Sequence, residues 1–239
     1  MSTGFKPEEL QARHDVESVQ EDAWHSYTGK KTSQLISKSL SSSQSHSRLL
    51  LNAGSGIYQI AADRWDEISL DLFSMPLKSR PNAVCASVEA LPFADATFGA
   101  VICVGEVLGY CDPAKAISEY ARVLMSGGLL ICDFGNSRSL RYLFKRAYGR
   151  AAEVVTEQYN GAPERIWVYH PAYINSILAC SGLAAQKQIG IHTWSALARR
   201  AGLSMDHSVR LQKCLTWLPF PALSADLMTI VALRNEILK

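Results

Sequence analysis

The stretch Leu49-Leu50-Leu51-Asn52-Ala53-Gly54-Ser55-Gly56 decides the fold of this 239-residue chain. Three consecutive leucines are typical of a strand that is buried on both faces, as in a parallel sheet. Gly54 and Gly56 follow at once, and glycine allows both a turn with positive φ and the close approach of a ligand to the backbone. An isolated Gly-x-Gly can equally be a tight turn without a ligand. Because Tyr58 and Ile60 follow and no third glycine comes in place, a nicotinamide or flavin site is disfavoured.

A second strand is predicted at Ile68-Ser69-Leu70-Asp71, where apolar and polar residues alternate and an acid stands last. A carboxylate at the carboxyl end of a strand can accept hydrogen bonds from both ribose hydroxyls of an adenosyl ligand. The alternative is that Asp71 caps a helix beginning near Ser74. The glycine turn shortly before this strand favours the ribose role.

Three further strands are predicted at Ala83–Ala86, Ala100–Val104 and Leu129–Phe134. Asp112-Pro113 begins the helix that precedes the last of them, because aspartate suits an N-cap and proline suits the first helical position. The apolar residues of this helix recur at helical spacing, and Gly127-Gly128 is expected to end it. Strands that alternate with helices predict a parallel, doubly wound sheet, since parallel strands need crossover connections.

In this order, the motifs resemble those of the class I S-adenosylmethionine-dependent methyltransferases, in particular the methyltransferase type 11 kind. The resemblance also rests on Ser87-Val88-Glu89-Ala90-Leu91-Pro92-Phe93 and on Ala121-Arg122-Val123-Leu124-Met125-Ser126-Gly127-Gly128-Leu129-Leu130. It implies an α/β, Rossmann-like, doubly wound fold with a mostly parallel seven-stranded sheet, an antiparallel last strand and helical caps. The implied cofactor is S-adenosyl-L-methionine (SAM), with S-adenosyl-L-homocysteine (SAH) as product, and no metal is expected. The residues that the resemblance places around SAM are Asn52, Ala53, Gly54, Ser55, Gly56, Asp71, Leu72, Ser87, Val88, Glu89 and Gly105.

Four positions depart from the family pattern. Asn52 and Ser87 stand where many relatives have an acidic residue, Tyr58 replaces the third glycine, and Gly99 stands where aspartate is common. Asn52 and Ser87 can still accept hydrogen bonds, although not charge-assisted ones. After the fourth strand the chain reads Glu106-Val107-Leu108-Gly109-Tyr110, where many relatives continue Glu-Val-Leu-Glu-His.

Composition narrows the classes of protein. The chain is 48% hydrophobic and 19% charged, which is typical of a globular protein, and its net charge of +2 is too small for a strong nucleic-acid signature. No apolar run approaches the length of a membrane span, and no signal peptide is visible, so a cytoplasmic location is expected. The cysteines form no Cys-x-x-Cys pair and are expected to be reduced, apolar packing residues. The sequence indicates no particular oligomeric state.

Three segments lie outside the predicted core sheet. Residues 1–45 are expected to form an N-terminal helical cap, and residues 46–239 the methyltransferase domain. Insertions at 135–169 and 192–221 are expected to be substrate caps, because long connections of this kind tend to be functional. The caps contain aromatic residues that could line an aromatic acceptor pocket or simply attach the caps to the core. These aromatic residues are Trp24, Trp167, Tyr169, Trp194 and Trp217.

The 135–169 insertion contains a basic cluster interleaved with apolar residues. This pattern is first that of an amphipathic helix with a solvated basic face. The alternative is a site for an anionic substrate or a carrier protein. The cluster consists of Arg138, Arg141, Lys145, Arg146 and Arg150.

Methyl transfer needs an acceptor held in line with the leaving sulfur, and a base only where the acceptor must lose a proton. The candidate bases are His170, His192, Glu106 and Tyr110. Tyr110 and His170 are predicted to contact the acceptor, since one follows the fourth strand and the other closes the insertion. The alternatives are a boundary aromatic for Tyr110 and an ordinary helix N-terminal residue for His170.

The favoured function is therefore a SAM-dependent methyltransferase that acts on a small, aromatic or apolar acceptor by O-, N- or C-methylation in specialised metabolism. Two alternatives stay open. One is a degenerate, SAM-binding protein of the same fold without transfer activity, and the other is a methyltransferase that acts on tRNA or protein.

Overall fold

The computed structural model describes residues 22–60, 63–159, 162–215 and 224–235. Seven strands form the central sheet in the order β3-β2-β1-β4-β5-β9-β8, and β6 and β7 form a separate hairpin. The first five strands run parallel, and β9 is antiparallel to both of its neighbours, which confirms the predicted doubly wound sheet. The strands are β1 (Leu49–Ala53), β2 (Asp66–Asp71), β3 (Ala83–Cys85), β4 (Phe98–Cys103), β5 (Leu124–Gly135), β6 (Ala152–Tyr159), β7 (Ala162–Tyr169), β8 (Leu183–Ile191) and β9 (Leu227–Arg234).

Five α-helices surround this sheet in the described residues, and they cover its two faces unequally. They are α1 (Ala23–Ser42), α2 (Pro113–Val123), α3 (Pro171–Cys180), α4 (Thr193–Arg200) and α5 (Met205–Cys214). Leu51 of β1 lies in one core with residues of α2 and α3. The next residue back, Leu50, lies in the other core with residues of α1. The leucine run is thus buried on both faces, as its sequence indicates.

Helix α2 begins where the sequence predicts, because the Asp112 carboxylate accepts hydrogen bonds from the N–H groups of Ala114 and Lys115 and Pro113 occupies the first turn. Its predicted end is wrong. The helix ends at Val123, and Gly127-Gly128 lies within β5.

The two glycines form a bulge in β5. The pairing with β4 jumps there, since Phe98 is opposite Leu124 but Ala100 is opposite Leu129. Gly127 has φ of +70°, and a Cβ at Gly128 would lie 2.8 Å from the carbonyl oxygen of Met125. The glycines are therefore needed to turn the chain inside a strand, rather than to end a helix.

The described links between β1 and β4 contain no α-helix. A helix near Ser74, the alternative reading of Asp71, does not form, and only a 3₁₀ turn occupies Met75–Leu77. The Ser74 side chain caps nothing, while Asp71 accepts from backbone N–H groups of two loops instead. This half of the sheet has little helical cover near its carboxyl edge.

The insertion after β5 also differs from expectation. Its basic stretch forms a 3₁₀ turn at Leu140–Tyr142 followed by tight turns, rather than an amphipathic helix. Positive φ values at Phe144 (+65°) and Gly149 (+73°) interrupt any helix. The β6–β7 hairpin completes the insertion. The second predicted cap carries α4 and α5, with residues 216–221, including Trp217, outside the described part. The predicted N-terminal cap is described only from residue 22.

Candidate active site at the carboxyl edge of the sheet

The loop after β1 is tied to the end of β2. The N–H groups of Gly54 and Ser55 both donate to the carbonyl of Leu70, at 2.8 and 2.9 Å. The N–H of Gly56 donates to the Asp71 carboxylate at 2.8 Å. Gly54 and Gly56 have φ of +72° and +50°, which L side chains rarely adopt. The loop therefore turns back over the sheet edge in a conformation that suits glycine.

Asp71 is buried, and its two carboxylate oxygens accept from different loops. Oδ2 accepts from Gly56 and Oδ1 accepts from the N–H of Phe73 at 3.1 Å. A carboxylate oxygen has two acceptor positions, so each oxygen retains one for a further donor such as a ribose hydroxyl. Leu72, the next residue, is exposed at the same edge.

The glycines of the site have two different structural roles. A Cβ at Gly54 would lie 2.5 Å from the Val107 side chain, so Gly54 lets the loop pack against the turn after β4. A Cβ at Gly56 or at Gly105 would meet nothing within 4 Å. At these two positions the bare backbone faces open space, and a ligand can approach it closely. Together with the Asp71 carboxylate, this edge fits an adenosyl ligand.

Asn52 lies behind the loop rather than on its open side. Its side-chain amide donates to the Tyr58 carbonyl at 3.0 Å and to the Glu67 carboxylate at 2.8 Å. Glu67 also accepts from the N–H of Ile60 at 2.8 Å and lies 3.5 Å from the Arg80 guanidinium. An acid at position 52 would face Glu67 with like charge, so the amide is the complementary choice here. Ala53 and Ser55 are buried beside it.

The loop with Ser87, Val88 and Glu89 is fixed to α2. Ser87 Oγ accepts from the N–H of Glu89 at 3.1 Å, and Val88 is buried. Glu89 Oε1 accepts from the N–H of Asp112 at 2.7 Å, which joins this loop to the start of α2. Glu89 thus acts as an anchor of the loop in this structure.

Two residues of α2 that sequence reasoning passed over hold the same loop. Glu119 accepts from the N–H of Leu91 at 2.7 Å, and Arg122 donates to the carbonyls of Leu91 and Phe93 at 3.0 and 2.7 Å. Arg122 also pairs with Glu119 at 2.8 Å, and this pair raises the pKa of Arg122 and lowers that of Glu119. Their i, i+3 spacing was the only sequence signal.

The turn after β4 places a carboxylate at the sheet edge. Glu106 follows Gly105 and has φ of +61°, an uncommon and strained conformation for a residue with a side chain. The buried Asp133 of β5 fixes this turn by accepting from the N–H groups of Gly105 and Glu106, at 3.1 and 2.8 Å. A Cβ at Gly135 would lie 3.0 Å from Glu106 Oε1, so the Glu106 carboxylate lies over the end of β5.

Glu106 belongs to a group of carboxylates that share one arginine. Burial, with Glu157, Asp133 and Asp226 nearby, raises the pKa of Glu106 to about 8, and Arg141 opposes this shift. Burial raises the pKa of Asp133 to about 6 despite its two backbone donors. Arg141 pairs with Glu157 and, at 3.2 Å, with Asp226.

The elements that carry Tyr110 and His170 meet at this edge. Tyr110 ends the 3₁₀ turn Val107–Gly109 and is partly exposed. Strand β7 packs on that turn, because the Tyr169 hydroxyl donates to the Leu108 carbonyl at 3.0 Å. His170 follows directly and caps α3, its Nδ1 accepting from the N–H of Ala172 at 3.1 Å. This bond is the one the helix N-terminal alternative implies, and burial and Arg138 lower the pKa of His170.

His192, another candidate base, is an anchor for α1. It is fully buried, and its ring nitrogens lie 2.7 Å from the Thr28 hydroxyl and 2.8 Å from the Ser195 hydroxyl. Its ring stacks on Trp24 with 3.6 Å between the centroids, so Trp24 attaches the cap to the core. Burial lowers the pKa of His192 to about 3, which keeps the ring neutral.

The described residues contain no cluster of three or more His, Cys, Asp or Glu that could hold a metal ion, and none of their helices is long and apolar enough to cross a membrane. All six cysteines are free, and three of them are buried.

Residues 47–132 match the family model of a methyltransferase domain. A relative, an uncharacterized protein of Methanocaldococcus jannaschii, is 35% identical over 98 residues, which cover 38% of this chain and 43% of that protein. The chain thus spans less than half the length of the curated relative that it matches.

Two solved structures have similar folds. A S-adenosylmethionine-dependent methyltransferase from Clostridium acetobutylicum aligns with a TM-score of 0.59 at 12% identity, over 96% of this chain and 99% of that one. The 1,6-didemethyltoxoflavin-N1-methyltransferase of Burkholderia thailandensis, solved with its 1,6-didemethyltoxoflavin and S-adenosylhomocysteine, aligns with a TM-score of 0.54 at 11% identity, over 90% and 82% of the two chains.

Proposed function

We propose that this chain is a class I S-adenosylmethionine-dependent methyltransferase and that it transfers the methyl group of SAM to a small-molecule acceptor with an aromatic or apolar body. The match of residues 47–132 to the model of a methyltransferase domain supports this proposal. When bound, SAM supplies a methyl group activated by the attached sulfonium. The Burkholderia neighbour, solved with a small heterocyclic compound and SAH, is consistent with an acceptor of this size. We further propose a cytoplasmic role in specialised metabolism.

The observation that carries the proposal is the pair of open backbone positions at one sheet edge. A Cβ at Gly56 or at Gly105 would extend into open space without contact. The N–H of Gly56 donates to the buried Asp71 carboxylate, and the N–H of Gly105 donates to the buried Asp133 carboxylate. Asp71 would hold the ribose, and the backbone beside Val88 and Ser87 would face the adenine. Ala53, Ser55 and Leu72 would complete the wall, while Asn52 and Glu89 would support it from behind.

The turn after β4 lies at the same sheet edge, and there Glu106 is the group suited to accept a proton from the acceptor. Its carboxylate lies over the end of β5, and its pKa near 8 makes it a stronger base than an ordinary glutamate once it is ionised. Asp133 would act as a positioning residue, because it fixes the backbone on both sides of Gly105. Tyr110 and His170 stay as predicted acceptor contacts at the same edge.

Two segments could close over the acceptor. Helix α1 begins beside His192 at the carboxyl edge of β8, and the β6–β7 hairpin packs on the turn after β4. An acceptor held between them would be shielded from water, and positioning of this kind can lower a barrier by up to about 7–11 kcal/mol in model systems.

The test has two steps. Calorimetric titration with SAM and SAH should show binding to the wild-type protein. Incubation with methyl-labelled SAM and pooled metabolites should then transfer label to a small molecule rather than to tRNA or protein. SAM binding without transfer to any pool would favour a degenerate methyltransferase fold, and failure of both SAM and SAH to bind would reject the proposal.

A further inference from the structure

A basic pocket lies beside the candidate site, at the junction of the insertion and α4. It is a cavity of about 490 Å³, within the size range of small-molecule sites. We name it the Arg200 pocket. It is lined by Arg141, Leu143, Phe144, Lys145, Arg199 and Arg200, so four of its lining residues are cationic and none is acidic.

Most of this positive charge is not neutralised. Of the four cations, Arg141 alone forms an ion pair among the described residues, with Glu157 and Asp226. Arg199 donates to the Leu203 carbonyl at 3.0 Å, and Arg200 donates to the Leu143 carbonyl. Carbonyl contacts hold a guanidinium in place without cancelling its charge. Three like charges around one concavity repel one another, and a bound anion would relieve that repulsion.

The pocket also presents an apolar face. Phe144 is 89% exposed and has φ of +65°, a conformation that costs about 1–2 kcal/mol for a residue with a Cβ. The Arg200 guanidinium lies 5.7 Å from the centroid of the Phe144 ring. Residues held in strained backbone conformations concentrate at functional sites. An apolar group of a ligand could lie on this ring.

Arg141 connects the pocket with the candidate active site. Arg141 is one of the residues that line the pocket, and its guanidinium pairs with Glu157 and Asp226, two of the carboxylates that raise the pKa of Glu106. A molecule whose reactive end reaches Glu106 could therefore extend past Arg141 into the Arg200 pocket.

We propose that the Arg200 pocket binds the phosphate group of an amphiphilic acceptor, with the adjoining apolar part of that acceptor on Phe144. A multiply charged phosphate suits several cations better than a single carboxylate does, and guanidinium groups match its geometry with paired N–H donors. That the ligand is the methyl acceptor rests on the proposed function, whereas the anion site itself does not.

The experiment is a calorimetric titration of the full chain with phenyl phosphate, benzoate and inorganic phosphate, in parallel with SAH. The test protein is the double variant Lys145→Gln/Arg199→Gln. The matched control is Lys38→Gln/Lys187→Gln, which removes the same charge from exposed positions on α1 and β8. Circular dichroism and SAH affinity report whether each variant is folded.

Wild-type and control proteins should bind phenyl phosphate more tightly than benzoate or inorganic phosphate. The double variant should bind phenyl phosphate about tenfold more weakly, and added KCl should weaken binding to the wild type. Equal affinity of the double variant and the control would overturn the proposal, as would benzoate binding as tight as that of phenyl phosphate. If SAH fails to bind while phenyl phosphate binding follows this pattern, the proposed function is lost but the anion site stands.

Discussion

At the scale of single residues, Glu106 combines an uncommon backbone conformation with a carboxyl group that ionises late. Its φ of +61° is maintained by the two hydrogen bonds to Asp133, and burial among other carboxylates keeps its proton bound to about pH 8. Strain that persists only because its surroundings enforce it is typical of functional positions.

Glu106 is predicted to be the group that accepts the proton of the acceptor. Glu106→Gln retains the shape but cannot take a proton, so turnover should fall about 100-fold or more while SAH affinity holds. In the wild type, activity should rise with pH as Glu106 ionises near pH 8. Bound SAM is cationic and favours the ionised carboxyl, so the kcat profile should rise at a lower pH than the kcat/KM profile for SAM. A Gln variant with wild-type turnover and the same pH profile would exclude this role.

Asp71 is predicted to bind the ribose of the methyl donor. Asp71→Ala should weaken SAM binding by about 1.5–3 kcal/mol, the usual range for hydrogen bonds to a charged group. The carboxylate also holds Gly56 and Phe73, so part of that loss would reflect the loops. Calorimetry decides, with the exposed Asp63→Ala as the control. Unchanged affinity in Asp71→Ala would reject the ribose role.

Two substitutions of His170 separate its role as a helix cap from its predicted role as an acceptor contact. As the N-cap of α3, His170→Ala should lower the free energy of unfolding by about 1 kcal/mol, while His170→Asn, a good capping residue, should retain it. Both variants lack the ring that is predicted to contact the acceptor. If KM for the acceptor rises in both variants, measured together with their denaturation curves, His170 contacts the acceptor. If the kinetics of both variants are unchanged, His170 acts only as the N-cap of α3.

At the scale of helices and strands, the sequence was most informative where local chemistry decides. The Leu49–Leu51 run and the Asp112-Pro113 start specify β1 and α2 through burial and capping alone. The Gly127-Gly128 bulge could not be foreseen, because it depends on the pairing of β4 with β5. The basic stretch of the insertion has helical spacing, yet the tertiary contacts of Arg141 hold it in turns.

The candidate site shows the same division. The glycine turns and Asp71 were visible in sequence, since their types and order are informative by themselves. The anchoring roles of Asn52, Glu89 and Arg122 were not, because each depends on a partner distant in sequence. Glu106 was one candidate base among several, and only its backbone conformation and carboxylate neighbours set it apart.

The docking of α1 should depend on pH through His192. The folded protein lowers the pKa of His192 from 6.5 to about 3, so the neutral ring stabilises the fold above pH 6.5. Below pH 6.5 the unfolded chain binds a proton that the folded protein excludes, and stability falls by about 1.4 kcal/mol per pH unit toward pH 3. Burial of Glu106 and Asp133 acts in the opposite sense, because their raised pKa values cost stability as pH rises from 4.5 to about 8 for Glu106 and from 3.8 to about 6 for Asp133.

His192→Phe isolates this contribution, since it keeps an aromatic ring against Trp24 but cannot ionise. Urea denaturation at pH 7.0 and 4.5 should show that the wild type loses more stability on acidification than the variant does. An equal loss in both proteins would mean that His192 ionises freely in the folded state.

At the scale of the whole molecule, the two halves of the sheet differ in helical cover. Helices α2 and α3 pack on the core, whereas the described links between β1 and β4 contain no α-helix. Apolar side chains are exposed there, at Ile57 (64%), Leu72 (45%) and Met75 (43%). Segments with few buried apolar contacts are the first to open, and ligand-binding segments are commonly of this kind.

A bound donor should therefore stabilise the protein from this half outward. SAH at about 100 times its dissociation constant should add about 2.7 kcal/mol to the free energy of unfolding, by mass action. Hydrogen exchange should slow most in the loops near Gly56, Leu72 and Gly105. It should slow least in α4 and α5, which follow the edge strand β8 in the chain. Asp71→Ala at the same SAH concentration is the control and should show a smaller effect. Protection spread evenly over the chain, or concentrated in α4 and α5, would place the donor elsewhere, because a ligand at the carboxyl edge of β1, β2 and β4 contacts only the segments that end there.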